Sequence, residues 1–198
     1  MNLVYIFVLV FACAFDLILA SPVNGTSEHR LVARQDLSCG QLSTRSHPLF
    51  RANHPGEGDW LFSISAAELT EATRRGYVFN SALPGIGKVW LVPETPDMIP
   101  LFRLWSNAIF DHLYTTDVTE MNTAINGPNK YQVEQILYVY QNRFPCPQNP
   151  NIRPVALYRL YHFGRRNHML AGGEAERDKA IFDGFSFIRL EGFMFPPP

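Results

Sequence analysis

Three dipeptides that pair an acid or amide with a ring recur along the chain: Asp59-Trp60, Asp111-His112 and Asn167-His168, with Tyr114 two residues after the second. Side chains of these types suit a sugar, whose hydroxyls meet Asp, Asn and His while its apolar C–H faces lie on rings. Asp59, Trp60, Asp111, His112, Tyr114, Asn167 and His168 are therefore the candidate ligand-binding set, expected as a polar and aromatic rim that also carries Tyr158 and Tyr161. The structural alternative is an imidazole bonded to its own turn, with Asp or Asn bridging nearby backbone. Two histidines so far apart in sequence do not supply the three ligands a metal needs, so no metal is expected, and no organic cofactor.

Two further series run alongside. Glu68, Glu120 and Glu176 each fall three residues after a helix-capping position, where the carboxylate reaches back to the N-cap amide and favours the helix dipole. Arg51, Arg103 and Arg159 each sit mid-strand among apolar residues; an unpaired buried charge is costly, so each is expected to pair with a helix carboxylate of its own repeat. Both series are expected to be structural. The chain has no Gly-x-Ser-x-Gly elbow, no His-Glu-x-x-His and no lone Cys with a His partner, so no catalytic residue is assigned. A glycoside hydrolase would need two carboxylates about 5–10 Å apart in a cleft. Asp111 and Glu120 are the available pair, and nothing in their spacing demands that role.

The elements that hold these residues form an internal repeat. Leu49 to Leu101, Asp59 to Asp111 and Glu68 to Glu120 are each 52 apart; Leu101 to Leu157, Asp111 to Asn167 and Glu120 to Glu176 are each 56 apart. Constant offsets between three landmarks, held twice, define a repeat. Each copy reads as an apolar-aromatic strand, a turn, a second strand, a capped helix of about 8 to 10 residues, and two further strands. Gly76, Gly127 and Gly184 are expected as left-handed helix stops. The expected fold is α+β, mostly β: one domain of three ββαββ-like repeats (about 47–93, 99–141 and 154–196) in a pseudo-threefold arrangement. A unit this small cannot bury both faces of its own hairpin and helix, which is the physical reason for several copies.

The pattern Leu-Tyr-Arg-Leu-Tyr, a turn, Asp-His-Leu-Tyr-Thr-Thr, Glu and a later Glu-Gly-aromatic resembles the secreted repeat domain DUF5648. It is carried best by Leu101–Glu120 with Tyr131–Tyr140, and by Leu157–Arg177 with Glu191-Gly192-Phe193. The resemblance covers about residues 46–196 and implies an extracellular module, often found beside hydrolase domains, with no established activity. Copy one departs from the pattern with Trp60 and Ile64, and copy three with Ala171-Gly-Gly173.

Residues 1–20 are nearly all apolar and precede Ser21-Pro22, which reads as a cleaved secretory signal. Residues 21–45 are expected to be a flexible lead-in, with Asn24-Gly-Thr26 as a glycosylation acceptor. Removal of the signal takes away one acid, Asp16, and no base; 17 acids then balance 17 bases. Bulk charge therefore attracts neither nucleic acid nor anionic lipid. Of the three cysteines, Cys13 lies in the signal, which leaves Cys39 and Cys146 as an expected disulfide in an oxidising compartment. The functional expectation is a secreted, monomeric, non-enzymatic module that binds carbohydrate, cell-wall glycan or glycoprotein. A secreted effector or inhibitor acting on a protein is the alternative, and a glycan-active hydrolase the third reading.

Overall fold

The computed structural model describes residues 38–144, 146 and 151–197. The expected signal, Cys13, Asn24 and most of the lead-in lie outside the described residues.

Copy one opens with the hairpin β2 (Phe50–Asn53) and β3 (Trp60–Ser63), followed by helix α2 (Ala66–Ala72) and strand β4 (Val78–Phe79). Copy two has β6 (Met98–Ser106), β7 (Asp111–Thr115), α3 (Val118–Asn126) and β8 (Gln132–Tyr140). Copy three has β9 (Val155–His162), β10 (Asn167–Gly172), α4 (Glu174–Phe182) and β11 (Ser186–Met194). Strands thus predominate, and the α+β, mostly β expectation holds. In each copy the first hairpin strand lies between its hairpin partner and the strand after the helix, giving the orders β3-β2-β4, β7-β6-β8 and β10-β9-β11, all antiparallel. The second and third triplets join into six strands through the pairing of Phe193 with Tyr140.

The ββαββ expectation needs correction. In copies two and three the last two strands are one strand interrupted by a bulge, so the unit is ββαβ. Glu134 is the bulged residue of β8 and Ile188 its equivalent in β11, each skipped in the pairing to the first hairpin strand, and β11 has a second bulge at Glu191. A bulge inserts an unpaired residue without ending the ladder, and in sequence it looks like a break. Only in copy one does a real break occur: after β4 the chain loops through residues 80–87 before β5 (Lys88–Val89), which pairs with β1 (His47–Pro48). Beyond it, Lys88 bridges to Phe195 and Trp90 to Tyr138, so the last segments of all three copies are hydrogen-bonded to one another. The loop packs so closely on β10 that a Cβ at Gly172 would stand 2.3 Å from the Ile86 carbonyl oxygen.

Helix ends follow local chemistry. Ser65 Oγ accepts the Glu68 amide at 3.1 Å, and Asp117 caps α3. Gly76 and Gly184 are left-handed, with φ of +94° and +97°. Gly127 is extended instead, with φ −75° and ψ 177°, because Pro128 excludes helical and left-handed geometry from the residue before it. The expected flexible lead-in is also corrected at its end. Residues Cys39–Arg45 form helix α1, whose N-cap Ser38 and N3 residue Gln41 make a full reciprocal capping box. The Ser-x-x-Gln signal was present in the sequence.

The main core takes equivalent positions from every copy: Leu49, just before its first hairpin strand, with Leu101 and Leu157 within theirs, and Phe62, Tyr114 and Leu170 from the second, all at most 1% exposed. A smaller cluster gathers Leu42, Trp90, Met98, Tyr140 and Phe195 around the Cys39–Cys146 disulfide, whose Cα atoms are 5.8 Å apart. That bond closes a sequence separation of 107 residues. Replacing both cysteines with Ser is expected to lower the unfolding free energy by about 4–5 kcal/mol in the chain-entropy description. Urea denaturation of the double variant beside wild type measures it, and an unchanged midpoint would refute the assignment.

Candidate functional site

The arginine and glutamate series meet, but between copies rather than within them. Arg103 of copy two reaches Glu68 of copy one at 2.6 Å, Arg159 of copy three reaches Glu120 of copy two at 2.8 Å, and Arg51 of copy one reaches Glu176 of copy three at 3.0 Å. The expectation of pairing within one repeat is thus corrected. So is the reciprocal capping role of the glutamates. The Glu68 and Glu120 carboxylates accept from Ser63 and Thr115 hydroxyls and from the arginines, while Glu176 accepts the Gly172 amide, because Ala171 stands where the other copies have a hydroxyl. The physical reason is reach. A carboxylate on the first helical turn faces a guanidinium buried under the neighbouring hairpin, and a charged hydrogen bond outcompetes a neutral amide.

Two carboxylates on the last strands complete the arginine sites. Arg103 Nε lies 3.1 Å from Glu134, and Arg159 Nε lies 3.1 Å from Glu191, which also accepts the Thr116 amide and hydroxyl. Sequence reading assigned no role to either glutamate. For Glu191 the signal was the Glu-Gly-aromatic motif; Glu134 had none, because a bulge decides where it points.

The candidate ligand residues form a second set of links across the same seams. Asp59 of copy one accepts the His112 amide at 2.8 Å and faces His112 Nδ1 at 2.6 Å, while the Tyr77 hydroxyl donates to it at 2.5 Å. Asp111 repeats this with the His168 amide, His168 Nδ1 and the Tyr131 hydroxyl. Asp59, Asp111, Asn167, His112 and Tyr114 are all buried, and Tyr114 is held by the Phe62 amide across the first seam. These five point inward, which overturns an open rim built from them. The hydrogen bonds of Asp59, Asp111, His112 and Tyr114 join copies. The His168 side chain is 17% exposed and Trp60 is partly buried, so these two do reach a surface.

The third seam breaks the pattern. Asn167 takes the place of Asp and Trp60 that of His. The Asn167 amide donates to the Gly58 carbonyl, and its buried Oδ1 finds no hydrogen-bond partner among the described residues. There a cleft of about 580 Å³ opens between copies one and three, lined by Arg51, Asn53, Trp60, Glu176, Lys179 and Phe185 among others. A second cleft of about 380 Å³ lies at the corresponding place between copies two and three, around Tyr131, Tyr161 and His168. Asn53, Trp105 and Tyr161 are matched positions, each directly opposite the ring residue Trp60, His112 or His168 on its hairpin partner. At the first seam Trp105 packs on His112 with centroids 4.5 Å apart, whereas a small Asn53 leaves the third seam open.

The chain matches the family model described as a domain of unknown function, DUF5648, over residues 35–142 and again over residues 85–195. The chain belongs to the DUF5648 family. The two matches begin 50 residues apart (85 − 35), close to the internal period, as a repeated unit requires. No curated protein and no solved structure matches it.

Electrostatics follow the pairing in this DUF5648 chain. Burial alone would raise the carboxyls of Glu68, Glu120 and Asp111, but hydrogen bonds from Arg103 and Ser63, from Thr115 and Arg159, and from His168 and Tyr131 outweigh it and hold all three low. Burial would lower His112, yet Asp59 and Glu134 outweigh it and raise the imidazole above its ordinary 6.5. Burial, with Asp59 and Asp111 alongside, pushes the Tyr77 and Tyr131 phenols far up.

Because their folded values lie below the ordinary 4.5 and 3.8, the carboxylates contribute stability that is complete above those values and is lost as pH falls. His112, raised in the fold, contributes stability that is complete below 6.5 and is lost as pH rises through its folded value. Stability is therefore expected to peak between about pH 4.5 and 6.5 in urea titrations across pH 3–9; a continuing rise above pH 6.5 would contradict the His112 assignment. Arg159→Met is expected to cost about 3–5 kcal/mol, since it strips the fully buried Glu191 of its arginine at 3.1 Å and leaves only Arg189 at 3.6 Å, while Arg51→Met, at a pair about one-third exposed, should cost much less. Equal losses in the two variants would show that burial does not govern these pairs.

Proposed function

We propose that the protein is a secreted, monomeric, non-enzymatic carbohydrate-binding module. Its three copies stand in a pseudo-threefold arrangement, and its sugar site is the cleft between copies one and three. The observation that carries this reading is the replacement at that seam. Where the other seams hold an aspartate–histidine link, this one has Asn167 and Trp60 and an open cleft. Trp60 supplies a ring face for apolar C–H groups, while Arg51, Glu176, Asn53 and Asn80 supply donors and acceptors of both kinds for hydroxyls.

The arrangement is supported by the closed series of arginine–glutamate pairs, from copy to copy and back to the first. Secretion is supported by the apolar first 20 residues and by the disulfide. A binding role rather than hydrolysis is supported by the state of the paired carboxylates. Glu68, Asp111, Glu120 and Glu134 are all held low, and a glycosidase acid must be held high.

The test is a pull-down on insoluble cellulose, chitin and β-1,3-glucan, with a glycan array alongside. Wild type is expected to bind at least one of these. Trp60→Ala should weaken that binding by roughly tenfold, about 1.4 kcal/mol, with an unchanged circular dichroism spectrum. Asn53→Trp, which copies the residue that fills the first seam, should weaken it as much. Binding by wild type that is indifferent to both substitutions would remove the cleft from the proposal, and no glycan binding at all would remove the function.

A further inference from the structure

We infer that the cleft between copies two and three is a second carbohydrate site, organised on Nε2 of His168, so that one molecule engages two places on a polysaccharide. The inference rests on the carbohydrate reading and adds a different site and a different contact.

Its foundation is a contrast between two equivalent histidines. His112 and His168 are both locked through Nδ1 to a buried aspartate of the preceding copy, at 2.6 and 2.7 Å. An ionised aspartate only accepts, so in the neutral ring the proton sits on Nδ1 and Nε2 presents a lone pair in a fixed direction. On His112 that direction is closed: Glu134 stands 3.4 Å from Nε2, Trp105 lies on the ring, and the side chain is 5% exposed. His168 lacks the carboxylate, and its aromatic neighbour is a smaller ring. The bulge position that carries Glu134 in β8 carries Ile188 in β11, and a hydrocarbon cannot take up Nε2. Tyr161 replaces Trp105, its ring 4.7 Å from the imidazole. Nε2 of His168 has no protein partner among the described residues, and its ring lines the cleft.

What surrounds that atom suits a sugar ring rather than a fatty or purely anionic ligand. Phe163, 70% exposed, stands edge-on to Tyr161 at 5.1 Å, giving an aromatic wall beside an oriented acceptor. Arg166 lines the same cleft and supplies donors to it, while the Thr123 hydroxyl, which donates to the Thr119 carbonyl, adds an acceptor. An acceptor held rigidly by a buried carboxylate loses little freedom when it takes a hydroxyl proton, which is how a preorganised contact gains affinity. Two clefts at corresponding seams would convert weak single-site contacts into roughly 10²-fold or greater avidity on a long polymer.

The experiment is amide NMR and calorimetric titration of the mature chain with cellohexaose, chitohexaose and laminarihexaose. Two independent sets of shifted amides and a stoichiometry of two are expected for at least one of them. Trp60→Ala should abolish only the set around copies one and three. His168→Gln and Tyr161→Trp should each abolish only the set around copies two and three. Tyr161→Trp repeats a residue the fold already accommodates at the first seam and leaves the Asp111–His168 link intact, so its effect reads on the cleft rather than on folding. A stoichiometry of one, unchanged by His168→Gln and Tyr161→Trp but abolished by Trp60→Ala, would overturn this inference and leave the Trp60 site standing. Absence of binding to all three hexasaccharides and to the polysaccharides would overturn both.

Discussion

An arginine in the middle of a buried strand has few acceptable states, and this chain places one in each of copies two and three, with a part-exposed counterpart, Arg51, in copy one. Arg159 is 1% exposed and Arg103 is 5% exposed. Desolvating a guanidinium costs several kcal/mol unless a carboxylate and further acceptors surround it. Each arginine finds that carboxylate on the helix of the preceding copy, and the two buried ones find a second on a last strand. A copy that packed in the wrong place would leave a charge alone in the core. Such pairs contribute less to net stability than to placement: they decide which hairpin lies beside which helix. The same geometry explains why the helices begin where they do, since the N-cap must set the glutamate one turn from the neighbour's strand.

The aspartate–histidine–tyrosine links run across the same seams and make the seams comparable. Two are linked by this network. The third has lost both the acid and the imidazole, and with them the reason for the copies to lie tightly together. Substitutions that would weaken a purely structural repeat are concentrated where a cleft opens, at Asn53, Trp60 and Asn167. The second seam keeps its aspartate and histidine but has Ile188 and Tyr161 where the first has the glutamate and tryptophan that cover the imidazole. The clefts are thus read from differences between copies, and the frame from their likeness.

Much of the frame was legible from spacing alone. The constant offsets, the paired hairpin strands, the serine and aspartate helix caps and the pairing of Cys39 with Cys146 each rest on local chemistry that a sequence displays directly. The fusion of two strands into one was not legible. A bulge at Glu134 or Ile188 interrupts alternation as a loop does, and only the pairing partner distinguishes them. Helix α1 was legible in Ser38-x-x-Gln41, yet it was masked by the polar stretch in front of it. The extended Gly127 followed from Pro128.

The site divides along the same line. By itself, the sequence determined which residue types recur and that the arginines needed acids. Tertiary structure alone decided that the acids come from the neighbouring copy and that Asp59, Asp111 and Tyr114 face inward. It also left Trp60 and His168 reaching a cleft. The physical reason is that pairing within a strand or a helical turn depends on chain-local distances, which spacing encodes. Pairing across a seam depends on which surfaces meet once the apolar faces are buried, and two dipeptides of like composition can then end on opposite sides of the solvent boundary.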